Sequence, residues 1–109
     1  GQSMRVRLAD IDVTGHMARY ARPAERGSPF LGDFCPACGT RLIHRRDAYG
    51  QEVSLKAGTL DETSWLVPAG HIWTRSKQAW MVFGEGELLY ERQPQSFDGL
   101  RARWREMTS

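Results

Sequence analysis

The sequence predicts a mainly β domain closed by a single C-terminal helix. Apolar and polar residues alternate in several short stretches, and a tight cysteine-bearing turn separates two of them. A helical apolar stripe occurs only near the C-terminus.

Val6, Leu8, Ile11 and Val13, spaced around Asp10 and Asp12, suit extended chain with an internal turn over Met4 to Val13. Thr14-Gly15 punctuates, and His16 to Ala21 reads as a short strand. Pro23 to Pro29, with Arg26-Gly27-Ser28 inside it, is a turn-forming connection. Phe30 to Phe34 leads into the cysteines, and Arg41 to Arg45 leaves them as a strand. After a turn at Tyr49-Gly50, Glu52 to Lys56 is the most regular strand. Val53, Leu55 and Ala57 face one side there, and Ser54 and Lys56 the other. Gly58 ends it. From Thr59 to Ala79 the chain is irregular, interrupted by Pro68 and Gly70, and Trp80 to Phe83 forms a last short strand or a turn of helix. The helix follows: Ser96 is its expected N-cap, Asp98 lies in the first turn, and Phe97, Leu100, Trp104 and Met107 share one face.

A chain of 109 residues suits one domain, expected over 4–109. Gly1-Gln2-Ser3 ahead of Met4 reads as a tag remnant outside the fold. Hydrophobic residues make up 40% of the chain, so Trp65, Trp73, Trp80 and Trp104 are expected to anchor the core. The net charge of +2 comes from arginines interleaved with acids, and Arg101, Arg103 and Arg105 would point in different directions on a helix. Neither feature asks for a nucleic-acid partner. No apolar run approaches the roughly 18 residues of a membrane span, and no export leader is apparent. With two cysteines, a reducing cytoplasm is the expected location.

Phe34-Cys35-Pro36-Ala37-Cys38-Gly39-Thr40 is the most informative local pattern. Two cysteines in a C-x-x-C turn can grip one metal ion, and small residues after the second let backbone N–H groups face the sulfurs. A redox dithiol of the thioredoxin type should open a helix, whereas Gly39 to Leu42 reads as turn into strand, which favours metal. Structural zinc takes four ligands, so two are missing. His16, His44 and His71 are the remaining nitrogen candidates, and a pair of reduced thiols without metal is the alternative.

The block Phe34 to Leu42 resembles the second cysteine motif of the glutathione-dependent formaldehyde-activating family. Val53 to Asp61 is similar to its next signature block, followed by His71-Ile72-Trp73, Ser76-Lys77, Trp80 and Tyr90-Glu91. Upstream, Asp12-Val13-Thr14-Gly15 and Arg19-Tyr20 also resemble the family, so the likeness covers about residues 6 to 94. It implies a β-tent of antiparallel sheets with a zinc knuckle. It also implies a carbon–sulfur lyase chemistry, in which glutathione and formaldehyde give S-hydroxymethylglutathione. The family uses two zinc ions. An N-terminal C-x-C pair and the C-x-x-C knuckle hold the structural ion, and a C-x-C-x-x-C cluster holds the catalytic one.

Cys35 and Cys38 match the knuckle, half of a structural zinc site. The N-terminal pair and the catalytic cluster would both fall before residue 4, so no catalytic residue carries over and the chain as given is expected to be inactive. A small thiol such as glutathione is the substrate class the resemblance implies, with Asp61, His71 and Trp73 as candidate pocket residues. Each also has a structural reading: loop hydrogen bonds for Asp61, a bond across a buried loop for His71, and core packing for Trp73 and Trp80. Gly58 is expected at a turn or close backbone approach. The alternative function is a non-catalytic zinc-knuckle module for assembly or binding. In its sharpest form, a homodimer shares one Cys₄ zinc across a two-fold axis, with Val6, Leu8 and Phe30 lining the interface.

Overall fold

Alternation in the first sixty residues produces an antiparallel sheet of five short strands. They are β1 (Ser3–Arg7), β2 (Ala18–Arg22), β3 (Phe30–Phe34), β4 (Arg41–Arg45) and β5 (Glu52–Lys56). The order across the sheet is β1-β5-β4-β3-β2, a meander of β2 to β5 with β1 added beside β5. The computed structural model describes residues 1–23, 27–46 and 49–109. They form two compact units, Gly1–Trp65 and Leu66–Ser109. Arg26 of the expected Pro23 to Pro29 turn lies outside the described residues.

The strand at the sheet's β1 edge begins at Ser3, which pairs with Lys56, and the Ala57 N–H donates to the Gln2 carbonyl at 3.0 Å. Residues set aside as a tag remnant thus take part in the sheet. Met4, Val6, Leu31, Ile43, Val53 and Leu55 share one face through this register. Ile43 and Val53 are 2% exposed and Ala57 fully buried, so the first unit's core sits against β4 and β5. One carboxylate is buried there as well. Asp33 accepts from Arg19 Nε at 2.7 Å and from Arg45 Nε at 2.8 Å, the pairing a buried charge requires. The register of β3 on β4 shifts between Asp33 and Phe34, because Asp33 faces Ile43 while Phe34 faces Arg41. A β-bulge therefore places one extra residue, Leu42, in β4.

In the second unit a parallel pair, β6 (Gly70–His71) and β7 (Leu88–Leu89), accompanies α1 (Asp98–Thr108). The last strand is therefore not at Trp80 to Phe83, which is a turn running into irregular chain. Two-residue strands carry too little periodicity to be read from sequence. Gly70 permits the pairing: a Cβ there would lie 2.6 Å from the Leu88 carbonyl oxygen and from Leu100 Cδ2. The helix starts at Asp98, two residues beyond the expected cap, and the Asp98 N–H donates to Ser96 Oγ at 3.3 Å. Its stripe of Phe97, Leu100, Trp104 and Met107 is half-buried, while Arg101 and Arg103 pair with Asp98 and Glu106 along the helix.

Two packing expectations fail. Trp65, Trp73 and Trp80 are 43%, 42% and 77% exposed, and so do not anchor the core. They lie in irregular chain, where no paired strand offers an apolar face to cover them. Gly58 has no heavy atom within 4 Å of a built Cβ and no positive φ, so neither a close approach nor backbone strain requires glycine there. No described helix is long and apolar enough to cross a membrane.

Candidate functional site

Cys35 to Thr40 is the loop of the β3–β4 hairpin. The Cys35 N–H donates to the Thr40 carbonyl at 2.9 Å, and the Gly39 N–H donates to the Cys35 carbonyl at 2.8 Å. Gly39 has φ of +79°, a left-handed position that a residue with a Cβ resists, and this turns the chain back under the second sulfur. Both cysteines are free thiols, Cys35 half-buried and Cys38 exposed. Cys38 Sγ lies 3.2 Å from Thr40 Oγ1. The thiol donates to that oxygen; once ionised, the sulfur accepts from the hydroxyl instead. Hydrogen bonding from the Thr40 hydroxyl, the Thr40 N–H and the Cys35 thiol holds the Cys38 thiol below its ordinary range. The turn thus favours a thiolate, the form that ligates metal.

None of the histidines joins the cysteines. Among the described residues no group of three or more His, Cys, Asp or Glu side chains could hold a metal ion. His16 is exposed ahead of β2. His44, on β4, has Nε2 2.9 Å from Arg41 Nη1, so that nitrogen accepts and the imidazole is neutral. Burial first, then the charges of Lys56, Arg41 and Arg22, lower its pKa.

The three candidate pocket residues divide between the units. Asp61, in the first, is exposed just past a 3-10 turn over Ala57–Thr59. The loop bonding expected of it is done by its neighbour Glu62, which accepts from the Ser64 N–H at 2.7 Å. In the second unit, His71 Nε2 lies 3.1 Å from Glu87 Oε1, near enough for charge pairing but misaligned for a hydrogen bond. Its ring lies 4.5 Å from that of Phe83. The His71 imidazole beside the Glu87 carboxyl, and then the Gly84 N–H that donates to its other oxygen, hold that carboxyl below its usual range. Trp73 adopts φ of +57°, an uncommon conformation for a bulky residue, and its Nε1 donates to Gln93 Oε1 at 3.0 Å. A shallow depression of about 530 Å³ runs along Leu89 to Ser96 and Gly99. Neither His71 nor Trp73 lines it; Gln93, the Trp73 partner, does.

The interface residues proposed for a dimer are also separated. Val6 lies in edge strand β1 on the core face, Leu8 in the 3-10 turn after it, and Phe30 in interior strand β3. Arg22 and Arg46 stack on the Phe30 ring, 5.1 and 4.7 Å from its centroid.

Two free thiols in a turn at the tip of an antiparallel hairpin, Cys38 held toward ionisation, define a class, the small β domains with a C-x-x-C turn. The particular family follows from comparison. The chain matches the model of the glutathione-dependent formaldehyde-activating enzyme over residues 2–76 and belongs to that family. No curated protein and no solved structure matches it.

Proposed function

We propose that this chain is a zinc-binding domain of the glutathione-dependent formaldehyde-activating family, with Cys35 and Cys38 as two thiolate ligands of a structural ion. The observation that carries the reading is the Cys38 sulfur, exposed and held toward its thiolate by Thr40. The donor set fits half of a tetrahedral sulfur site and no more. Zinc bound there would cross-link the β3–β4 hairpin as a closed structural centre. The other two ligands come from a second Cys35–Cys38 pair across a two-fold axis, which presents the same turn to itself.

Both cysteines of these 109 residues lie in this turn, leaving no thiolates for a zinc with an open coordination position. The chain as given is therefore expected not to condense formaldehyde with glutathione, although a small thiol remains the substrate class that family membership suggests. Free thiols in such a turn suit a reducing compartment, and we assign the protein to the cytoplasm.

Zinc per chain and solution mass, measured on the same sample, test the assignment. One zinc per two chains, with metal and dimer both lost in Cys35→Ser, is the expected result. One zinc per monomer would overturn the shared site, and no zinc at neutral pH would overturn metal binding.

A further inference from the structure

On the sheet face away from the core, one register row runs Arg5, Ser54, His44, Gly32, Tyr20. Strand side chains alternate, so Arg22 and Lys56, two residues along from Tyr20 and Ser54, share that face. Arg41 joins them only through the bulge. In a regular strand Arg41 and Ile43 would point the same way, toward the core; the extra residue turns Arg41 to the side of His44. Its guanidinium lies over Gly32, where a built Cβ would be 2.6 Å from Nη1, and reaches His44.

Three cations thus surround one neutral imidazole, each resting on an uncharged group. Arg22 stacks on Phe30, Arg41 contacts His44, and Lys56 Nζ donates to Ser3 Oγ at 3.2 Å. Among the described acids of the strands and of the turn after β1, Asp33 lies on the core face with Arg19 and Arg45, Asp10 pairs with Arg7, and Glu52 shares the cation face but pairs with Arg5 and not with these three. Arginines and acids interleave along the sequence, but the pleat and the bulge sort them by face. Gathering like charges with no described acid paired to Arg22, Arg41 or Lys56 raises the free energy of the surface, and an anion lowers it.

The shape of the face selects the kind of anion. It is an open sheet surface, so a single small anion there stays solvated, whereas a chain of phosphates can meet several cations at once. Tyr20, 58% exposed and two residues from Arg22, adds an aromatic ring to the same face. Cations beside an exposed ring on an antiparallel sheet match the two chemistries of a single-stranded nucleic acid, its phosphates and its stacking bases. We propose that this face binds single-stranded nucleic acid, with Arg22, Arg41 and Lys56 on the phosphates and Tyr20 stacked on a base.

Fluorescence anisotropy of a labelled oligothymidylate of about 12 nucleotides, within the range one small β domain covers, tests the proposal. With three phosphates neutralised, log K should fall against log salt with a slope of about −2. The double variant Arg22→Gln/Lys56→Gln, substituted at surface positions, should bind about tenfold or more weakly with a slope nearer −1. Tyr20→Ala should weaken binding at unchanged slope. Histidine NMR supplies a second readout. Phosphate beside the three cations offsets their charge, so saturating oligonucleotide should raise the His44 pKa. Absent binding at about 50 mM salt overturns the proposal. So does an affinity or slope unchanged in the double variant, or a His44 titration indifferent to oligonucleotide. Capture by anionic lipid vesicles in place of the oligonucleotide would assign the face to a membrane surface and overturn it equally.

Discussion

Thr40 exerts its effect on one sulfur, and reagents that consume thiolates can read that effect directly. Cys38 is exposed and held toward ionisation, while Cys35 is half-buried. Iodoacetamide should therefore label Cys38 first in the zinc-free protein, as peptide mass spectrometry would reveal. Thr40→Val removes the hydroxyl, should move the labelling midpoint to higher pH, and should weaken zinc by the same linkage. Asp33 is the other residue with a local field of its own. Burial pushes its carboxyl up, but hydrogen bonds from Arg19 and Arg45, with their charges, outweigh this and leave it below the usual range. A depressed carboxylate binds its proton less readily folded than unfolded. Its stabilisation is thus present in full above the unfolded pKa of about 3.9 and fades as pH falls through the lower folded value. Asp33→Asn should cost about 3 kcal/mol at pH 7, since it leaves Arg45 without its charge partner. It should also flatten the loss of stability below about pH 4 in urea titrations. The sequence displayed the cysteines because their spacing is itself the signal. It did not display Asp33, whose partners lie 14 and 12 residues away and meet it only through the sheet.

Three strands of the first unit could be read to the residue, whereas β1 ends at Arg7, short of the expected Val13, and β2 runs Ala18–Arg22 where His16 to Ala21 was expected. Phe30–Phe34, Arg41–Arg45 and Glu52–Lys56 each combine alternation with turn residues at both ends. The bulge could not. It depends on which residue of β3 faces which of β4, and a pattern internal to one strand carries no such information. For that reason the cation face around His44 was invisible in the sequence, although every residue in it was in view. The β6–β7 pair was missed for the opposite reason, being held by one close approach and not by periodicity. Gly70→Ala tests that approach, because its methyl would meet backbone as well as the flexible Leu100 side chain. A loss of about 2 kcal/mol is expected for the second unit. In hydrogen exchange, the Tyr90 amide, which donates to the His71 carbonyl at 2.9 Å, should lose protection first.

For the molecule as a whole, the mainly antiparallel sheet and the C-terminal helix followed from patterning, whereas the burial of its tryptophans did not. Large aromatics were expected inside because they bury the most area, but an irregular segment cannot enclose what it carries. The core is instead made by Ile43, Val53 and Ala57, modest residues on paired strands. The exposed indoles have a practical consequence for spectroscopy. Trp65, Trp73 and Trp80 already meet water in the native protein. Native emission should therefore lie near that of free tryptophan and move little in denaturant. An acrylamide quencher should reach Trp80 before Trp104, whose indole is half-buried on the helix stripe. A melt followed by intrinsic fluorescence would thus look nearly featureless for a protein that unfolds, while circular dichroism of the same sample recorded the transition. A strongly blue-shifted native spectrum would contradict the exposure of these three side chains.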